Sequence, residues 1–455
     1  MQPAILRGAS IMIAFAICQS MAAAQKLSPT PQTYRTLADE AESQLRRNVL
    51  DVWFPRCVDP APGGFHSAFA RDWTRRPGGD VLIVFQARMT WITATVAMRR
   101  PDLRDQYTKY ARHGLAYLRD VMWDAQDGGA FWELTADGQP KADGQKHLYG
   151  LAFAIYAPAA VYEALGDKDA LDLSLRTFRW LDQHAHDASN GGYYESLRRD
   201  GTPFGADALA AQGPAMFPDG AFPIGYKTMN AHIHLLEALT ELYRASKDPT
   251  VGRRLDEVLA VVRDKIAVEP GCLNQFFTAD WRAVPDFDSF GHDIETAFLM
   301  VEASEALGRP DDQRTWQMAR RLVDHALAWG FDERYGGFYD KGAAFDAAHD
   351  RRKTWWVQFE GLNALLLIHA RFGHQSPRYF DAFVKTWRFV TEHMADPKFG
   401  GFYAEVEQDG TVTNTGKAQN WKAAYHDGRA LLNIADRLRR LAGNADAAPT
   451  RQGTR

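Results

Sequence analysis

The chain is poor in cysteine, in net charge and in long apolar runs. It has three cysteines in 455 residues, too few and too scattered for a disulfide framework or a paired-cysteine metal site. Its formal net charge is −4, from 53 Lys and Arg against 57 Asp and Glu. No basic block breaks that balance, so nothing points to nucleic acid. The first apolar run, Ile11–Ile17, is too short for a bilayer, which needs about 20 residues. No later stretch reads as a span.

Arg7, the Ile11–Ile17 run and the small residues Met21-Ala-Ala-Ala24 form the pattern of a secretory signal. Residues 1–24 are expected to be removed, which places the mature chain in the periplasm or outside the cell and leaves it with no membrane attachment. Cys57 and Cys272 then remain, in a compartment that permits disulfides. They fall in the first and fourth of the repeats described next, on opposite sides of a ring, so no bridge is expected.

Glycine pairs followed by aromatics are plentiful. Gly63-Gly64-Phe65, Gly128-Gly129-Ala130-Phe131-Trp132, Gly191-Gly192-Tyr193-Tyr194, Gly336-Gly337-Phe338-Tyr339 and Gly400-Gly401-Phe402-Tyr403 are variants of one signal, with a degenerate copy at Gly271-Cys272-Leu273. They recur every 65 residues or so, about the period of a repeat architecture. Amphipathic, charged helical patterns precede the turns: Thr33–Val52, Leu103–Met122, Ala170–His184, Val251–Val268, Asp311–Gly330 and Arg378–Met394. Patterns richer in apolar and small residues follow them: Val81–Met98, Leu148–Leu165, Met229–Ala245, Ile294–Leu307, Trp355–Phe372 and Ala430–Leu441. A helix apolar over most of its circumference is buried, and one with a polar face meets solvent. The expected fold is all-α: an (α/α)6 barrel of six helical hairpins, with short β-hairpin turns at one end. It forms one domain over residues 25–441, followed by a disordered tail, 442–455. The Gly-, Ala- and Pro-rich insertion Thr202–Tyr226 is a candidate lid.

The starts of the inner helices carry chemically capable residues. They read Gln86-Ala-Arg88, Lys146-His147-Leu148-Tyr149, Asn230-Ala-His232-Ile-His234, His292-Asp293-Ile294-Glu295, Trp355-Trp356-Val357-Gln358-Phe359-Glu360 and Trp421-Lys422-Ala-Ala-Tyr425-His426-Asp427-Gly428-Arg429. In a toroid these junctions converge on one mouth. His292 and Glu295, three apart, share a helical face; His232 and His234, two apart, do not, which argues against a metal pair.

These motifs resemble the N-acylglucosamine 2-epimerase family, which includes cellobiose 2-epimerases and bacterial mannose isomerases. The resemblance spans nearly the whole mature chain. It implies the (α/α)6 barrel and a 2-epimerisation or aldose–ketose isomerisation of a reducing mono- or disaccharide, without metal or other cofactor, by a monomer or homodimer. Position by position, it implies that His292 and His426 are the acid/base pair, that His234 helps open the sugar ring, and that Glu295 supports His292. Arg88, Asn230, Tyr149, Glu360 and Arg429 become sugar contacts, and Trp355, Trp356 and Trp421 the stacking walls. Val357 and Phe359 depart from the proline and alanine common in the disaccharide-epimerising branch.

The chemistry suits imidazoles. Once the ring opens, the C2 proton next to the carbonyl is acidic enough for a side-chain base, and removal gives an enediolate. Reprotonation of C2 on the opposite face inverts it, whereas delivery to C1 gives the ketose. Imidazole, with an ordinary pKa near 6.5, serves as both acid and base at neutral pH. Two other readings share the barrel. A glycoside hydrolase or lyase needs two facing carboxylates, and Asp286, Asp288, Glu295, Glu360 and Asp427 are available. A sugar-binding module needs only the pocket.

Overall fold

The computed structural model describes residues 27–61, 63–205, 227–284 and 287–447. The expected signal segment, most of the candidate lid (206–226) and the last eight residues (448–455) lie outside the described residues.

Twelve helices alternate between two rings. The outer ring is α1 (Pro31–Leu45), α3 (Arg104–Asp120), α5 (Lys168–Ala185), α7 (Pro249–Val261), α9 (Gln313–Trp329) and α11 (Arg378–Phe389). The inner ring is α2 (Ile83–Arg99), α4 (Leu148–Leu165), α6 (Met229–Ser246), α8 (Phe290–Ala306), α10 (Trp355–Phe372) and α12 (His426–Ala447). Three outer helices, α1, α7 and α11, end in a five-residue π-turn.

Sequence accounts for which helix goes where. On α5 one stripe is buried, through Ala170, Leu173, Ser174, Thr177, Phe178 and Leu181, the three- and four-residue spacing of a surface helix. Asp167, Asp248 and Asp312 cap α5, α7 and α9 by accepting from the first free N–H groups. On α4 nearly every side chain is buried. That helix is long and apolar enough to cross a membrane by composition, yet 83% of it is buried inside the barrel. Each outer helix packs on the inner helix before it. α1 packs on α12, and Arg99 of α2 donates to Asp436 of α12 at 2.7 Å, which closes the ring.

The glycine turns are one device used repeatedly. The aspartate four residues before the first glycine accepts from backbone N–H groups of its own turn and from a buried lysine. Lys146 meets Asp124 at 2.9 Å, Lys227 meets Asp187 at 2.8 Å, Lys353 meets Asp332 at 2.9 Å and Lys417 meets Asp396 at 3.0 Å. Gly128 and Gly129 adopt φ of 75° and 71°, and a Cβ on Gly129 would come within 3.0 Å of the Lys146 stem. Only glycine meets both demands without strain.

The strands link neighbouring repeats. The two residues before an inner helix pair antiparallel with two residues beyond the next repeat's turn: Val81–Leu82 with Glu133–Leu134, Lys146–His147 with Ser196–Leu197, Asp288–Ser289 with Lys341–Gly342, and Lys353–Thr354 with Glu405–Val406. These ladders circle the end of the barrel where the inner helices begin.

Two of the differences in helix boundaries from the sequence reading bear on the tail and the site. α12 runs from His426 to Ala447, past the expected end at Leu441, so residues 442–447 are helical rather than a disordered tail. α8 begins at Phe290 rather than Ile294, because Ser289 caps it by accepting from the His292 N–H. His292 and Asp293 therefore lie in its first turn. Cys57 and Cys272 are both buried and free.

Candidate active site

A cavity of about 360 Å³ opens where the inner helices begin, lined by Arg88, Tyr149, Asn230, His234, His292, Glu295, Lys341, Trp355, Trp356, Trp421 and His426. Each of the six inner-helix junctions contributes. A larger groove of about 770 Å³ lies between α9 and α11 on the outer face, remote from these residues. The cavity gathers all the expected site residues except Glu360 and Arg429. Those two lie beneath it, buried to 0% and 3% exposure. Neither lines the cavity, so they are placed as supports rather than as sugar contacts.

Arg429 is the centre of that network. Its guanidinium donates to Glu295 at 2.6 Å, to Glu360 at 2.6 Å, to Tyr425 at 2.7 Å and to Glu237. Glu237 also accepts from Tyr425 at 2.6 Å and holds His234 Nδ1 at 2.9 Å. Burial opposes ionisation of Glu237, but the Arg429 charge and the His234 bond outweigh it and bring the carboxyl down to about 2. Glu295, Glu360 and His426 present ligand atoms within 4.8 Å of one another, yet the arginine already bridges both carboxylates, filling the place of a cation.

The two expected acid/base histidines are held differently. His426 Nδ1 meets Glu360 at 2.6 Å. His292 Nδ1 meets Ser289 Oγ at 2.7 Å, and Ser289 in turn donates to Asp340 at 2.8 Å. This corrects the expected role of Glu295. It hydrogen-bonds to Arg429 instead of His292, and it acts on His292 only through its charge, which raises the imidazole's affinity for a proton. The helix cap, one residue before α8, reaches the ring first. Burial nevertheless dominates and lowers His292 to about 4. Burial, reinforced by Arg88 and Arg429, holds His426 well below its ordinary value. Both shifts favour the neutral imidazole, and with Nδ1 tied in each ring, Nε2 is the nitrogen left for other partners.

The remaining junction histidines separate as helix geometry requires. His234 lines the cavity, whereas His232, two residues away, accepts from the Tyr193 N–H at 3.0 Å in the core. His147 is buried against Glu195 at 3.0 Å and stacks on Trp132. The Trp356 ring stands 4.8 Å from His292 and 5.7 Å from His426, centroid to centroid. Arg88 reaches Tyr149 at 2.8 Å and lies over Phe153 and Tyr425.

Three contributors were not foreseen from sequence. Tyr425 and Glu237 have local partners at helical spacing, Arg429 and His234, but their contact with each other crosses the barrel, for which local spacing gives no signal. Lys341 enters the cavity from beyond the fifth turn, because it pairs with Ser289 across the inter-repeat ladder. Among the five carboxylates available for a hydrolase, Glu295 alone lines the cavity; Asp288, Glu360 and Asp427 are buried elsewhere, and Asp286 lies outside the described residues.

Residues 63–430 match the model of the N-acylglucosamine 2-epimerase (GlcNAc 2-epimerase) family. The chain is 30% identical over 401 residues to a cellobiose 2-epimerase of Bacteroides fragilis, covering 88% of this chain and 98% of that protein. It is 24% identical over 414 residues to a D-mannose isomerase of Marinomonas mediterranea, covering 86% and 95%. The solved structure of the cellobiose 2-epimerase from Spirochaeta thermophila superposes with a TM-score of 0.79 at 31% identity, covering 90% of this chain and 98% of that one. The chain belongs to the N-acylglucosamine 2-epimerase family, and it is a sugar epimerase or isomerase.

Proposed function

We propose that the protein interconverts C2 epimers of a reducing disaccharide with glucose at its reducing end, using His292 and His426 as the acid/base pair. The observation that carries this is the placement of two imidazoles from different helices about one aromatic wall, each with Nδ1 tied to a different partner. An acid/base group on each face of C2 is what inversion requires. One Nε2 removes the C2 proton from the open-chain aldose, and the other imidazole, entering the step protonated on Nε2, returns that proton to the opposite face; the first ends as the imidazolium and the second neutral, and exchange with solvent resets the pair. His234, anchored by Glu237, serves ring opening. Arg88 stabilises the oxyanion as the enediolate forms, and Trp355, Trp356 and Trp421 receive the sugar faces. Glu295 and Glu360 act through Arg429 and His426 to hold the pair in register.

The disaccharide reading rests on the cellobiose-epimerising relatives. The departures at Val357 and Phe359 do not touch it: both residues are fully buried and neither lines the cavity. Aldose–ketose isomerisation uses the same intermediate with delivery to C1, and the mannose isomerase relative supports it as a second reading. Proton NMR of the protein with cellobiose, mannose and glucose in D2O tests both. Deuterium at C2 with a new epimer supports the first, and a ketose supports the second. Absence of C2 exchange with every sugar overturns the acid/base assignment. We also propose that the mature protein works in the periplasm or outside the cell, on the strength of residues 1–24. Mass and N-terminal sequence of the exported protein test that.

A further inference from the structure

In one repeat an acidic residue takes the place of the buried lysine. In the second, third and fifth repeats the residue two before the inner helix is Lys146, Lys227 or Lys353, each fully buried on its turn aspartate. In the fourth repeat that position, two before Phe290, is Asp288. The turn aspartate is replaced by Ala267, and the second turn glycine by Cys272. A carboxylate thus stands where the second, third and fifth repeats supply an ammonium, with a thiol at the neighbouring turn; the first and sixth repeats have Val81 and Ala424 at the lysine position.

Two more ligand-type side chains close on this spot. Asp293 comes from the first turn of α8, and His325 from α9. Cys272 is 5% exposed, Asp288 4%, Asp293 0% and His325 4%. Ligand atoms of Cys272, Asp288 and His325 lie within 4.8 Å of one another. His325 Nδ1 is 3.6 Å from Asp288 Oδ2 and 3.2 Å from Asp293 Oδ2. Donors around a tetrahedral zinc stand about 3.3–3.7 Å apart, given its bond lengths. The other ring nitrogen, Nε2, donates to the Ala344 carbonyl at 2.6 Å. That bond turns the Nδ1 lone pair toward the carboxylates, as a backbone carbonyl does for a metal-bound histidine. Both Asp288 oxygens and Asp293 Oδ1 are buried without a hydrogen-bond partner.

We infer that Cys272, Asp288, Asp293 and His325 bind a divalent transition-metal ion, zinc above all, in a closed structural site behind the first turn of α8. Thiolate and imidazole favour zinc over calcium or magnesium. The thiol releases its proton on binding, and the thiolate with one carboxylate balances the ion's charge. None of the four ligands lines the sugar cavity. The ion replaces the missing lysine as the internal cation, and it fixes Ser289, and through it His292, from behind.

The experiment uses the mature protein, tag removed and desalted. Elemental analysis is expected to find about one zinc per chain. Removal with a chelator should lower Tm by about 5 °C, and zinc should restore it. Cobalt added to the stripped protein should give a thiolate charge-transfer band. Cys272→Ala and Asp288→Asn should lose the metal, and their Tm should ignore the chelator. Wild-type protein without stoichiometric metal, without the cobalt band and with a Tm indifferent to chelator and zinc overturns the site, leaving His325 as an imidazolium between two aspartates. A cobalt band that survives intact in Cys272→Ala overturns it as well.

Discussion

His426 and Glu360, 66 residues apart on different inner helices, meet at 2.6 Å beneath the sugar cavity. The carboxylate fixes the imidazole's tautomer and orientation, and it is itself held by Arg429 at 2.6 Å. Glu360→Gln keeps the shape but presents an amide to both. It should lower kcat about 10–100-fold, in the range seen for losing an orienting partner, with KM changed less. An unchanged kcat in steady-state assays would remove Glu360 from a positioning role.

His292→Ala and His426→Ala should each lower C2 proton exchange by about 10²–10⁴-fold, the usual contribution of a positioned acid/base group. The two need not be equal. If one variant still washes deuterium into C2 while producing no epimer, the lost histidine is the group that returns the proton. NMR in D2O separates exchange from turnover.

Burial lowers His292 to about 4 and keeps His426 low. The base must be unprotonated and the acid protonated, so kcat/KM should rise with pH through an acid limb well below the ordinary histidine value of about 6.5 and fall at higher pH as the acid partner loses its proton. A limb at or above that ordinary value would show that the free enzyme holds these imidazoles charged.

Trp356 contacts both proposed acid/base imidazoles. Trp356→Ala should therefore raise KM, by loss of about 0.5–1.5 kcal/mol of stacking, and also lower kcat, because both rings lose a wall. A change in KM alone would make the tryptophan a binding surface only.

Lys353 is fully buried on Asp332, Gly336 and Gln408. Lys353→Met leaves Asp332 without its cation and should cost about 3–5 kcal/mol of stability. Adding Asp332→Asn should recover part of that loss. Burial opposes ionisation of Asp332, but the lysine bond outweighs it and lowers its pKa. A folded value below the unfolded one gives stability that is present above about pH 4 and lost as pH falls through the folded value. Urea denaturation midpoints across pH 2–7, roughly the span where carboxylates titrate, check both statements; a variant as stable as wild type would show the pair to be neutral.

The i,i+3 spacing of histidine and glutamate illustrates the reach and the limit of sequence. The same spacing is present in His234/Glu237 and in His292/Glu295. It forms a hydrogen bond at 2.9 Å in the first pair. In the second, Ser289 takes the histidine and Arg429 takes the carboxylate. Helical spacing determines only that two side chains share a face. Which partner each chooses depends on competitors arriving from other helices.

The sequence by itself determined the repeat, the division into exposed and buried helices, and the junctions that carry the chemistry. Those features follow from local rules: glycine's access to positive φ, the helical period of apolar residues, and the helix starts that converge when six hairpins close. Only the tertiary structure decided the rest. It sank Glu360 and Arg429 beneath the cavity, brought Lys341 in across a ladder between repeats, and set Asp288 where three other repeats keep a lysine. These placements depend on which residues from distant repeats compete for the same buried space, and no local pattern encodes that contest.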